Sequence, residues 1–194
     1  MSEKPSPIRL VTRTRNKWKQ AGKPRTIGDN AVALGYIVWQ LALTAAKKLH
    51  QEDFRYDSDE QRLRVIEEYL AFLVHIADRM TFSSLEQDER AVFVAGVARS
   101  AARHFERNKE EIMGAGNHGA AFLHTVNLRS SEYSSCAYTD EPGYTLLRTL
   151  GSHVQNIMGS DQTNKWVMDQ VMDIDAPDLC RRLSSSLVSL IESS

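Results

Sequence analysis

Cysteine is nearly absent: Cys136 and Cys180 are the only two in 194 residues. Two cysteines are too few for a disulfide framework, and no Cys-x-x-Cys occurs. Structural zinc and dithiol redox chemistry therefore lack their usual ligands, and a reducing cytoplasm is the expected compartment. Proline is equally scarce. After Pro5, Pro7 and Pro24 the next is Pro142, and so long a proline-free interval, with few glycines, suits helices. Strong alternating patterns that would demand a sheet, long repeats and low-complexity blocks are all missing.

A long hydrophobic run is missing too. The best membrane candidate, AVALGYIVWQLALTAA, is 16 residues long, is interrupted by Gln40 and Thr44 and is followed by Lys47 and Lys48. A spanning helix wants about 20 mostly apolar residues, so this segment reads as a buried core helix. No apolar stretch of the kind found in secretory signals lies in residues 1–30, and no Asn-x-Ser/Thr acceptor occurs.

Familiar catalytic signatures are also lacking. The residues three before the histidines are Lys47, Phe72, Ala101, Ala115, Ala121 and Leu150. None is the glutamate of a di-iron Glu-x-x-His motif. There is no His-x-x-x-His pair, no Gly-x-Ser-x-Gly elbow and no P-loop. GAGNHG at 114–119 matches Gly-x-Gly-x-x-Gly literally. A dinucleotide fingerprint needs a preceding strand, however, and here the segment NKEEIM reads as a helix. The glycines read as a helix stop and a connection.

What is present is helical periodicity and an uneven charge. Apolar residues make up 42% and charged residues 25%, ordinary values for a globular chain. The expected fold is an all-α, multi-helix bundle of six or seven helices in a single domain over residues 26–194. The first helix, about 29–50, is apolar over most of its circumference and is expected at the centre. Thr26-x-x-Asp29, Ser58-x-x-Gln61 and Ser83-x-x-Glu86 are candidate capping boxes for helices at about 29–50, 59–81 and 84–112. Further helices are expected at about 119–138, from Pro142 to Met158, at 163–174 and at 176–192. The last carries a stripe of Leu179, Leu183, Leu187, Leu190 and Ile191, suited to docking or to homo-oligomer formation.

Residues 1–25 carry eight basic residues against Glu3 alone, a net +7, whereas the remainder carries 16 basic against 24 acidic residues, a net −8. This is the pattern of a flexible basic arm on an acidic body. Within the arm, Arg13, Arg15, Lys17, Trp18 and Lys19 combine cations with an aromatic ring, a composition that engages acidic protein or nucleic acid. Arg99, Arg103 and Arg107 form a second basic ridge at i, i+4, i+8 spacing. It reads as a solvated face or as part of the same partner surface.

The leading functional expectation is thus a helical interaction or accessory protein whose arm engages an acidic partner. The alternative is a metal- or cofactor-dependent helical-bundle enzyme. For it, HIAD offers His75 and Asp78 as metal ligands one turn apart, joined by His104 or His124 from neighbouring helices. On a helical wheel His75 points about 180° from Ile66 and shares its stripe with Arg64, Glu68, Asp78 and Arg79, so it is expected in water. The enzyme reading requires that stripe to meet a second helix. Finally, the segment 119–138 is poor in large aliphatics but carries His124, Arg129 and Tyr133, which makes it the candidate ligand-binding element. No particular cofactor is implied.

Overall fold

The structure, a computed structural model, describes residues 26–192, so the arm residues Arg13, Arg15, Lys17, Trp18 and Lys19 lie outside the described residues. Six helices of 15 residues or more run in the order α1 (Ile27–Gln51), α2 (Asp59–Thr81), α3 (Gln87–Met113), α4 (His118–Tyr133), α5 (Tyr144–Met158) and α7 (Ala176–Glu192). Between α5 and α7 lie a short helix α6 (Val167–Gln170) and a π-helical turn, Val171–Asp175. Among the described residues there is no strand, only one isolated bridge between Tyr138 and Pro142. No described helix is long and apolar enough to cross a membrane.

Local chemistry explains most boundaries. Thr26 Oγ1 accepts from Asp29 N at 3.1 Å while Asp29 Oδ2 accepts from Thr26 N at 2.9 Å, a complete capping box. At α2, Ser58 Oγ accepts from Gln61 N at 3.1 Å, and the Gln61 side chain reaches one residue further back, to Asp57 N at 2.7 Å. The box expected at Ser83 does not start α3. Ser84 N and Leu85 N instead bond to Thr81 O, prolonging the end of α2, and α3 opens at Gln87 with Glu86 in the cap position. Gly114, at φ +89°, ends α3 in a backbone region that side chains avoid. The turn that follows is closed by Glu106, whose Oε1 accepts from Gly119 N at 3.0 Å. The glycines of GAGNHG therefore serve a tight helix–helix connection. Helix α5 begins at Tyr144, after Pro142 has paired with Tyr138.

Helices α1 and α3 cross at unusually short range. A Cβ added to Gly35 would lie 2.7 Å from Val97 O and 2.8 Å from Ser100 Oγ, and one added to Gly96 would lie 2.7 Å from Ala31 Cβ. Tyr36, the residue after Gly35, then meets His104, one turn beyond Ser100. The contacts advance in the same direction on each helix, so α1 and α3 run parallel and α2 returns between them.

Helix α1 is a core element, with Leu34, Val38, Ala42 and Leu49 fully buried. It also exposes Val32 and Tyr36, each about half. The more enclosed helix is α2, which touches α1, α3, α4, α5 and α7 and is buried without interruption from Glu68 to Ala77. An apolar circumference shows how much of a helix avoids water. It does not show how many neighbours the helix meets, and the alanines of α1 are covered by close approach to few partners. The leucine stripe of α7 is turned inward: Leu179, Leu183 and Leu187 are buried within the chain's own core, where α7 packs on α1 and α2. In the segment 163–174, Val167 and Val171 enter the core, while Trp166 and Ile174 stay exposed at 62% and 48%. The buried Asn164 side chain joins the connection before α2 to that after α5, donating to Arg55 O and Met158 O and accepting from Arg55 N at 2.9–3.0 Å.

Candidate functional site

The middle of the polar stripe of α2 does not face water, although Arg64 at its start does. Glu68 and His75, two turns apart on it, are each only 5% exposed because α4 lies across them. Burial of a carboxylate is tolerable only with a partner, and α4 supplies one. Arg129 Nε donates to Glu68 Oε2 and Nη2 to Oε1, both at 2.7 Å, a bidentate pair. The guanidinium also lies 3.6 Å from Glu132, whose carboxylate is 2.8 Å from His153 Nε2 on α5. One turn after Arg129, Tyr133 enters the same seam. Its ring stands 5.4 Å from that of His75 and packs edge-on to Phe72. His75 is thus a buried histidine, correcting the solvated position expected from the wheel. The wheel gives direction correctly but cannot see which faces acquire neighbours.

Burial sets the chemistry of this seam. It pushes the His75 imidazole down to about 4, against a smaller upward pull from Asp78, so the ring is neutral near pH 7. Burial also holds the Tyr133 phenol well above its usual range, with the Glu68 carboxylate adding to the effect. Tyr133 Oη is fully enclosed and has no hydrogen-bond partner among the described residues. The arginine is paired with two carboxylates. What the seam can offer is a protonated phenol and a neutral imidazole, which are hydrogen-bonding groups in apolar surroundings and not an activated nucleophile.

The structure thus brings together Arg129 and Tyr133 from the ligand-binding expectation with His75 from the metal-binding one. His124, five residues before Arg129 and so on a different side of α4, is exposed. Asp78 is engaged elsewhere, 3.3 Å from Arg90. His104 packs against Tyr36 with the rings tilted at 59° and centroids 5.2 Å apart, on the α1–α3 side. Among the described residues, no three His, Cys, Asp or Glu side chains converge as ligands of one ion would. Arg99, Arg103 and Arg107 are all exposed on α3.

Glu68, Glu132 and His153 had no place in the sequence-based site. Glu68 shared the His75 stripe, so its polar character was visible, but its arginine lies 61 positions away. A second internal network was invisible for the same reason. Asp175, in the π-helical turn, accepts from Tyr69 Oη at 3.0 Å and from Gln170 Nε2 at 3.2 Å, and lies 3.4 Å from Lys48 Nζ. Burial raises its carboxyl above the usual range despite these partners. Both cysteines are free thiols, and burial pushes that of Cys180 up to about 12. It is therefore a poor nucleophile near neutral pH.

No protein family, characterised protein or solved structure matches this chain.

Proposed function

We propose that this chain is an interaction or accessory protein in which the basic residues 1–25 engage an acidic partner, a protein surface before a nucleic acid. The observation that carries the reading is the charge separation, +7 in the first 25 residues against −8 in the remainder. A basic segment tethered to an acidic body associates with an acidic partner through the segment, while the body discourages wrapping of a polyanion around the whole molecule. Fluorescence anisotropy with a poly-glutamate peptide and with a single-stranded oligonucleotide tests it. In the full chain, replacing Arg13, Arg15, Lys17 and Lys19 together by glutamate should abolish binding to the peptide. A slope that falls steeply between about 50 and about 200 mM salt for the oligonucleotide, exceeding that for the peptide, would assign the arm to nucleic acid instead. Unchanged binding in the quadruple variant sinks the reading.

A second reading rests on His75. The condition for an enzyme in the bundle was that this histidine meet another helix, and α4 lies against it. Such a site would use His75 and Tyr133 in the α2–α4 seam, since Asp78, His104 and His124 are turned elsewhere. Elemental analysis and an absorption spectrum of freshly purified protein, beside His75→Ala, test it. Near-stoichiometric metal or a chromophore that is lost in the variant supports the enzyme. A signal unchanged by the substitution rejects His75 as a ligand.

A further inference from the structure

A groove of about 630 Å³ opens between the second half of α1, the first turns of α2 and the second half of α3. Its volume lies within the range of roughly 300–1,000 Å³ typical of small-molecule sites. The floor is apolar: Ala46 and Ile66 are each 1% exposed, and Leu43 is half-buried beside them. Around this floor stand Lys47, His50, Arg62 and Asn108, with Tyr56 and Ser58 at the α2 end.

The charged groups of the lining leave one positive charge in excess. The lone carboxylate of the lining, Asp59, is neutralised by Arg62 at 2.9 Å. Tyr56 Oη donates to Ala46 O at 2.8 Å, so its proton is committed. Among neighbouring cations, Lys48 turns inward to Asp175. Lys47, one residue earlier, is exposed at the groove and has no ion-pair partner among the described residues. Of the remaining groups of the lining, Lys47 can only donate, while His50, the Ser58 hydroxyl and the Asn108 amide can each donate as well as accept. An apolar floor beneath a polar rim whose one uncompensated charge is the Lys47 ammonium, on a body that is otherwise acidic, selects for one ligand chemistry. We infer that this groove binds a small organic anion carrying an apolar moiety. The apolar part lies on Leu43, Ala46 and Ile66, and the anionic group meets Lys47 with His50 beside it. The inference is independent of the arm.

Two probes differing by one charged group test it on the full chain. 8-Anilinonaphthalene-1-sulfonate carries fused rings and a sulfonate, and N-phenyl-1-naphthylamine carries the same rings without it. Fluorescence titration should show the sulfonate binding with one site per chain and at least about tenfold more tightly than the neutral amine. Lys47→Glu, at an exposed position, should weaken the sulfonate by about tenfold or more and leave the amine unchanged. Arg148→Glu, an exposed charge reversal outside the lining, should alter neither. Asn108→Trp should exclude both by filling the groove. Near-UV circular dichroism confirms native packing in each variant. Should the tryptophan variant unfold, the comparison of Lys47→Glu with Arg148→Glu decides alone. Equal affinity for the two probes, several sites per chain, or sulfonate binding indifferent to Lys47→Glu would overturn the inference. Displacement of the sulfonate by poly-glutamate through Lys47 would also overturn it, making the groove a peptide site.

Discussion

Arg129 carries more of the seam than its half-buried position suggests, because Glu68 beneath it depends on it. Removing one member of a buried ion pair strands the other charge, at about 3–5 kcal/mol for a fully enclosed pair. Arg129 retains 22% side-chain exposure, so Arg129→Ala should cost about 2–4 kcal/mol in urea unfolding. Replacing Glu68 and Arg129 together by leucine should cost less than the single change, since no charge is left alone. His75 makes a pH prediction. Its folded pKa, about 4, lies below the ordinary 6.5, so the unfolded chain binds the extra proton first as pH falls. The neutral ring's contribution is present above about pH 6.5 and is lost towards pH 4, by at most roughly 3 kcal/mol. Asp175 acts in the opposite sense, because a raised carboxyl pKa favours the folded state as acid is added. Urea midpoints measured from neutral to mildly acidic pH should therefore fall less steeply in His75→Gln than in the parent. Parallel curves would remove His75 from the balance.

At the scale of the element, the α1–α3 crossing is the least forgiving contact. Gly35 stands against the backbone carbonyl of Val97, and a main-chain atom within a helix cannot swing aside. Gly35→Ala should cost about 1–3 kcal/mol through overpacking. Gly28→Ala is the control. Among the described residues its Cβ would meet only Thr26 Oγ1 at 3.5 Å, an ordinary contact, so thermal unfolding should show a neutral or slightly stabilising change. The capping box has its own expected effect: Thr26→Ala should lower stability by about 1 kcal/mol. The same scale explains the seam. Helix α4 is short of large aliphatics, burying Phe122, Val126 and Tyr133, and it docks on α2 through ionic and aromatic contacts as much as through apolar area.

Across the whole molecule, buried residues from every long helix join one apolar core. Far-UV and near-UV circular dichroism should therefore report a single, coincident unfolding transition. An early loss of the near-UV signal would show that some helices are held separately. The charge separation also acts at this scale. It belongs to no single contact, and in the proposed function it would bias which partners approach before any groove or seam is reached.

The helical class and the start of α1 were readable because their causes are local. Thr26 and Asp29 are three residues apart, and apolar positions recur with the pitch of the helix. Charge asymmetry was readable because it is a count. The positions of His75, Glu68 and Ser83 were not. A helical wheel shows that His75 and Glu68 share a face, but burial depends on a helix that begins more than forty positions later. Ser83 had the right spacing for a cap, yet its neighbours Ser84 and Leu85 bond back into the preceding turn. Sequence alone determined the element types, their main caps and the distribution of charge, all fixed by interactions within a few residues or by composition. Tertiary structure alone decided that α2 occupies the middle, that Glu68 and His75 of its polar stripe are roofed by Arg129 and Tyr133, that the leucines of α7 face inward, and that Lys47 overhangs a groove. Each of these depends on distant segments competing for the same surface, and helical periodicity carries no information about which one wins.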